Sequence, residues 1–350
     1  MCGIAGFFNF QTGKDNQSTA TLRRMLTRIK HRGPDQSGIY LSNSIGLGSV
    51  RLSIVDLSSG TMPISNLDDS LWIVFNGEIF NHIELRQELE SKNHRFKTHS
   101  DTEVIVHLYE EYGPEFVHKL NGQFAIAIWD KNKEELFLAR DRVGIRPLFY
   151  TTVGKTFVFA SEIKSMLEFP EFNPKLSAKA IAEYFTFWTS LSPSTAFEDV
   201  FEVPPGCYMT INKNSKNITT YWELPMCRPD EYKYTKIDEA AKEFEKIFSD
   251  AVMLRLRADV QVAAYLSGGI DSSVTTSFIK NISPENLQTF SIGFTEKDYD
   301  ESAFQNIAAE YFKTQHSSVV CGPNDIADNF KGVVWHSEAP LLRTAPTPMS

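Results

Sequence analysis

At 350 residues the chain is too long for one ordinary core, and its length points to about two domains. Hydrophobic residues make up 42% and charged residues 23%, an ordinary globular composition. The net charge of -9 argues against a nucleic-acid coat or an anionic membrane surface as partner, although a nest of backbone N–H groups can still bind phosphate locally.

The amino terminus lacks the basic and long apolar regions of a signal peptide. No run approaches the roughly 20 apolar residues that a membrane helix needs. Cys2, Cys207, Cys227 and Cys321 lie far apart without a CxxC pair, so neither a disulfide framework nor a zinc site is expected. Reduced thiols and a soluble, cytoplasmic chain follow, in which Asn217-Ile218-Thr219 is a chance match to a glycosylation acceptor.

Along the first part, Leu71–Phe75, Gln123–Trp129, Leu136–Ala139 and Thr156–Ala160 are short apolar runs of strand character bounded by turn residues. Helical patterns cover Ile83–Lys92 and Thr102–Tyr112. Several strands are joined by turns too short for a parallel crossover, which predicts an α+β domain of largely antiparallel sheets with helices outside. The pattern turns irregular and proline-rich from about Asn173 to Lys236, and the domain connection is placed near its end. Asp238–Leu254 then reads as an amphipathic helix. Strand Val260–Leu266, a turn and helix at Ser267–Ser273, strand Gln288–Phe294 and helix Glu301–Phe312 give an α/β alternation with a parallel sheet. The expected domains are 2–213 and 237–350.

Cys2 follows the initiator methionine, and its small size permits removal of Met1. The exposed α-amine would titrate near pH 8, so a terminal cysteine carries its own general base. Taken alone, Cys2 reads more readily as a small buried thiol at the start of a strand. Ser267-Gly268-Gly269-Ile270-Asp271-Ser272-Ser273 lies between an apolar strand and a helix, and could cradle an anion with backbone N–H groups. A glycine-serine turn without that role fits as well, and the chain lacks GxxxxGK[ST].

Six segments decide between these readings: Cys2–Phe7 (CGIAGF), His31–Gly38 (HRGPDQSG), Arg51–Gly60 (RLSIVDLSSG), Phe75–His82 (FNGEIFNH), Ser100–Val104 (SDTEV) and Arg140–Tyr150 (RDRVGIRPLFY). Together they resemble the class II glutamine amidotransferases, and most closely their asparagine synthetase branch. SGGIDSS is similar to the pyrophosphate loop of the N-type ATP pyrophosphatases. The resemblance implies an Ntn-hydrolase-like first domain and an ATP pyrophosphatase second domain.

By that resemblance Cys2 is the nucleophile, and Asn76 with the Gly77 N–H forms the oxyanion hole. Arg51 pairs with the α-carboxylate of glutamine, Glu78 and Asp101 receive its α-ammonium, and Leu52, Ser53, Ile54 and Val55 line the pocket. In the second domain Leu266, Ser267, Gly268, Gly269, Asp271, Ser272 and Ile292 contact ATP, with Asp271 also holding Mg²⁺. His31 borders the glutamine site without acting in catalysis, and Cys207, Cys227 and Cys321 are structural. The implied partners are glutamine, ATP and aspartate or another carboxylate acceptor, such as a surface-polysaccharide sugar acid, with no nucleic acid or membrane. A homodimer is compatible with the sequence. The family's second nucleotide segment is not found, so the second domain is expected to be its amino-terminal part only. The chain is then a fragment or a naturally shortened relative, and a glutaminase or binding subunit without synthesis is the remaining alternative.

Overall fold

The computed structural model describes residues 2–11, 18–284 and 286–350. They fall into two units that divide between Leu224 and Pro225. In the first unit the chain runs β1 (Gly3–Asn9), α1 (Ser18–Arg28), β2 (Gln36–Leu41), β3 (Ile45–Arg51), β4 (Ile64–Ser65) and β5 (Leu71–Ile79). Helices α2 (His82–Ser91) and α3 (Asp101–Tyr112) precede β6 (Gly122–Asp130), β7 (Glu135–Arg140), β8 (Phe149–Val153) and β9 (Thr156–Ala160). Short α4 (Ile163–Met166), α5 (Ala178–Phe187), β10 (Phe201–Glu202), β11 (Cys207–Ile211) and β12 (Lys216–Thr220) complete it.

Two six-stranded sheets result, in the orders β10-β8-β9-β1-β3-β2 and β12-β11-β7-β6-β5-β4, with antiparallel neighbours throughout. The period of two along each strand sorts side chains between layers. Ile4 and Phe8 of β1 join Val74, Ala127, Leu138 and Phe159 in the core between the sheets. Ala5 and Phe7 point the other way and meet Leu22 and Met25 of α1 and Ile29 just after it. On the outer face of the second sheet Ile73, Phe75, Ile126 and Phe137 pack under Val104, Ile105 and Leu108 of α3. Each such side chain contributes roughly 1.5–3 kcal/mol of burial, so the layered order helix, sheet, sheet, helix is fixed by three apolar cores.

The expected α+β class is what the chain adopts. The stretch read as irregular, however, holds α5, β11 and β12. All five residues of β12 are exposed, so no apolar alternation marks it. Its order comes from the ladder to β11, a tertiary cause that a single sequence does not display.

The second unit runs α6 (Ile237–Arg255), β13 (Ala263–Tyr265), α7 (Ile270–Ile282), β14 (Gln288–Phe294), α8 (Ser302–Phe312), β15 (Gln315–Cys321) and α9 (Pro323–Ser337). Its three strands are parallel in the order β13-β14-β15, as the α/β alternation implies. The first strand is shorter than the predicted Val260–Leu266. No helix among the described residues is long and apolar enough to cross a membrane.

Candidate active site

Cys2 precedes β1 and is half-buried, with its Sγ 3.6 Å from the Leu52 carbonyl oxygen. Its own carbonyl accepts from Arg32 Nε at 2.9 Å, and Arg32 Nη1 is held by Glu162 Oε1 at 2.8 Å. Ser161 closes the other side: its Oγ accepts from Ile4 N at 2.9 Å and its N–H donates to Ile4 O at 2.8 Å. The start of the chain is thus pinned from both flanks. Burial pushes the Cys2 thiol above its ordinary value.

Cys2, Arg51, Leu52, Ile54, Val55, Asn76, Gly77, Glu78 and Asp101 line one cavity. Ser53 is not among the lining residues; its N–H donates to Asp35 Oδ2 at 2.8 Å. Met62, Phe75, Ser100, Thr102 and Arg146 line the cavity too, and were not predicted. Ser100, Thr102 and Arg146 sit inside the quoted SDTEV and RDRVGIRPLFY segments, which was the available signal.

The chemistry of the lining is specific. Arg51 is buried and spans the loop after β3: Nη1 donates to Gln36 Oε1 at 2.8 Å, and Nη2 to the Val55 and Asp56 carbonyls at 2.7 Å each. Asn76 is fully buried, yet neither Oδ1 nor Nδ2 has a hydrogen-bond partner in the protein. A buried amide left unsatisfied is costly, by about 1–3 kcal/mol per group, so both groups call for a partner, water or ligand, in the cavity that Asn76 lines.

Gly77 stands opposite Phe124 of β6, whose N–H and carbonyl are both taken by Asp141 on the other side. The Gly77–Phe124 pair is therefore a non-hydrogen-bonded one, and the Gly77 N–H turns outward from β5. On that side β4 pairs only with Trp72 and Ile73, so this N–H meets no described strand. A Cβ at Gly77 would lie 2.0 Å from the Gln123 carbonyl oxygen, which restricts the position to glycine.

Asp101 opens α3, after the Ser100 cap whose side chain accepts from Thr102 N at 3.2 Å. Its Oδ2 accepts from Ile79 N at 3.0 Å. Burial raises the Asp101 carboxyl, and burial together with the nearby Asp101 charge raises Glu78. Two carboxyls so destabilised in their charged form present a ready seat for a cation. Burial lowers Arg146, which the Glu78 charge partly restores.

In the second unit Leu266, Ser267, Gly268, Gly269, Asp271 and Ser272 form the turn from β13 into α7. Leu266 is buried and donates from its N–H to Phe290 O at 2.8 Å, and Ile292 lies on the adjacent β14. Ser272 Oγ accepts from Ser267 N at 3.1 Å, and Gly269 N donates to Ser267 Oγ at 3.3 Å. Gly268 has φ +80, and a Cβ there would meet Gln305 N at 2.7 Å. Asp271 is exposed in the first turn of α7. A larger apolar cleft, bordered by Phe294, Tyr299, Ile326, Phe330 and Leu342, contains none of these residues.

Residues 1–222 match the family described as glutamine amidotransferase domain, and residues 243–350 the family described as asparagine synthase. The chain belongs to the glutamine-hydrolysing asparagine synthetases. It is 37% identical to asparagine synthetase [glutamine-hydrolyzing] 1 of Bacillus subtilis, over 100% of this chain and 55% of that protein. Number 3 of the same organism is 34% identical over 97% of this chain and 57% of its own length. An amidase of Penicillium rubens is 35% identical over 97% of this chain and 54% of that protein. The chain thus spans little more than half the length of these curated relatives. The solved structure of the allosteric regulatory enzyme of purine biosynthesis shares the fold, with a TM-score of 0.50 at 16% identity over 92% of this chain and 80% of that one.

Proposed function

We propose that this chain hydrolyses glutamine at Cys2 and belongs to an asparagine synthetase that passes the ammonia to an ATP-activated aspartate. The observation that carries the reading is the unsatisfied Asn76 amide, in one cavity with the Cys2 thiol, Gly77, Arg51 and Asp101. The glutaminase domain comprises 2–213 and the ATP pyrophosphatase part begins at 237.

The thiol attacks the side-chain amide carbon, and the α-amine exposed by loss of Met1 takes the thiol proton. The tetrahedral oxyanion accepts hydrogen bonds from Asn76 Nδ2 and the outward Gly77 N–H. That proton then goes to the departing nitrogen, which leaves as ammonia, and water cleaves the γ-glutamyl thioester to release glutamate. Arg51 still has two N–H groups beyond the three donated within the protein (five minus three) for the substrate carboxylate. Glu78 and Asp101 hold the substrate ammonium.

In the second unit the residues fit a polyphosphate. Gly268 takes a positive φ just before the amino terminus of α7, and the Ser267 and Ser272 hydroxyls stand 3.0 Å apart beside it, the setting in which a helix start binds phosphate. Asp271 supplies one carboxylate, which suffices for Mg²⁺ when phosphate oxygens and waters complete its shell. Leu266 and Ile292 would flank the nucleoside. ATP so held supplies the activating adenylyl group.

Replacing Cys2 with Ala should abolish glutamine use and leave ammonia-dependent chemistry of the full-length protein intact. Asp271→Ala should do the reverse. A Cys2→Ala protein that hydrolyses glutamine at the parental rate contradicts the assignment. Because a 35% identical relative carries the name amidase, another carboxylate acceptor is the second reading. Aspartate-dependent release of pyrophosphate from ATP separates the two.

A further inference from the structure

Away from the cavity, the segment following α2 folds back on α3 and brings together side chains with metal-ligand chemistry. His94, His107 and Glu110 place one ligand atom each within 4.8 Å of one another. His107 Nδ1 lies 2.9 Å from Glu110 Oε2, and His94 Nδ1 lies 3.7 Å from the same oxygen. Donors on one tetrahedral zinc, bound at 2.0–2.1 Å, stand about 3.3 Å apart. Both nitrogens therefore already lie near coordination spacing from Glu110 Oε2, and the partly exposed Glu110 can close the remainder.

The second observation concerns the opposite ring nitrogens. His107 is fully buried, and its Nε2 has no hydrogen-bond partner, but it faces Glu103 Oε1 at 3.8 Å. Glu103 is itself fully buried and fixed as an acceptor by Lys97 N and Thr98 N, both at 2.7 Å. His94 Nε2 meets Glu111 Oε2 at 3.1 Å. Each histidine thus presents Nδ1 toward Glu110 while its Nε2 faces a carboxylate, hydrogen-bonded for His94 and at 3.8 Å for His107, an arrangement akin to the carboxylate–histidine pairing that orients metal ligands. Asn66 Nδ2 donates to Glu110 Oε1 at 3.2 Å and leaves Oε2 for the centre. Three carboxylates stand around two imidazoles, and Lys92 meets one of them, Glu111 Oε1, at 2.5 Å.

We propose that His94, His107 and Glu110 form a site for a divalent transition-metal cation of the zinc class, with water in the fourth position. The site staples the segment after α2 to α3. His107 lies six residues, about 9 Å, along α3 from Asp101, so the metal stiffens the helix whose first residue enters the cavity.

The test is titration of the chelator-treated full chain with Co²⁺, followed by visible absorption. One equivalent should bind with the intense bands of a tetrahedral site and without the near-ultraviolet thiolate band that a cysteine ligand would give, and Zn²⁺ should displace it. His94→Gln and Glu110→Gln should each remove the spectrum while leaving the circular dichroism unchanged. Glu111→Gln, one shell out, should weaken binding about ten-fold. Absence of binding below millimolar Co²⁺, a thiolate band, or a spectrum unaffected by both ligand variants overturns the proposal. The cluster would then be a protonated histidine held by its carboxylates.

Discussion

Asp141 takes both backbone hydrogen bonds of Phe124: its N–H donates to the Phe124 carbonyl at 2.9 Å, and its Oδ2 accepts the Phe124 N–H at 3.1 Å. The same carboxylate also accepts from Ile145 N and Arg146 N, both at 2.9 Å. One buried side chain therefore shapes the turn that brings Arg146 to the cavity and clamps Phe124 in the orientation set by the β5–β6 register. The outward direction of the Gly77 N–H comes from that register, which a residue outside the cavity helps to hold.

Asp141→Asn is the test of that relationship. The amide keeps the shape but must face one pair of N–H donors with its own NH₂. Glutaminase kcat should fall about 10- to 100-fold, less than the roughly 100- to 1,000-fold expected for outright loss of an oxyanion donor. KM should change by less than about three-fold, because the change acts on the transition state. A variant with normal kcat and a raised KM would place Asp141 outside this role.

The pH profile follows from the Cys2 thiol. Burial raises its pKa, so at neutral pH it is protonated and needs a base. The α-amine serves only when neutral, and its ordinary pKa lies near 8. Glutaminase kcat/KM should therefore rise with unit slope from pH 6 and level off above roughly pH 8. A flat profile between pH 6 and 8 would indicate a preformed thiolate.

Acid stability tests the loop that Arg51 spans. Burial alone would raise the Asp56 carboxyl. Hydrogen bonds from the Ser59 hydroxyl (2.5 Å), Ser59 N (2.9 Å) and His99 N (2.8 Å) outweigh it and hold the pKa at about 2. A depressed carboxylate stabilises the fold fully above its unfolded value of 3.8, and this contribution is lost as pH falls toward 2. Asp56→Asn should lower Tm at pH 6 and narrow the Tm difference from the parent as pH drops below 4. A gap that is the same at pH 6 and pH 3 would mean the charge is not the stabilising element.

Much of this was legible in the sequence, and the reason differs by element. Cys2, Arg51, Asn76, Gly77 and Asp101 stood in quoted segments, and the structure brings them to one cavity. Ser53 stands in the same segment as Arg51 and is absent from the lining; its N–H donates to Asp35 Oδ2. Asp141 stands in the Arg140–Tyr150 segment with no role implied by the sequence, because hydrogen bonds to backbone N–H groups leave no periodic trace. The same holds for His94 and His107. Thirteen positions apart, their pairing depends on how the segment between α2 and α3 folds back, which no spacing rule specifies.

The most direct measurement of the central claim is intact-mass and peptide analysis after exposure to an electrophilic glutamine analogue. Met1 should be absent, a single adduct should form on Cys2, and excess glutamine should prevent it. An adduct on Cys207, Cys227 or Cys321 instead, or rapid glutamine hydrolysis by a chain that retains Met1, would contradict that claim.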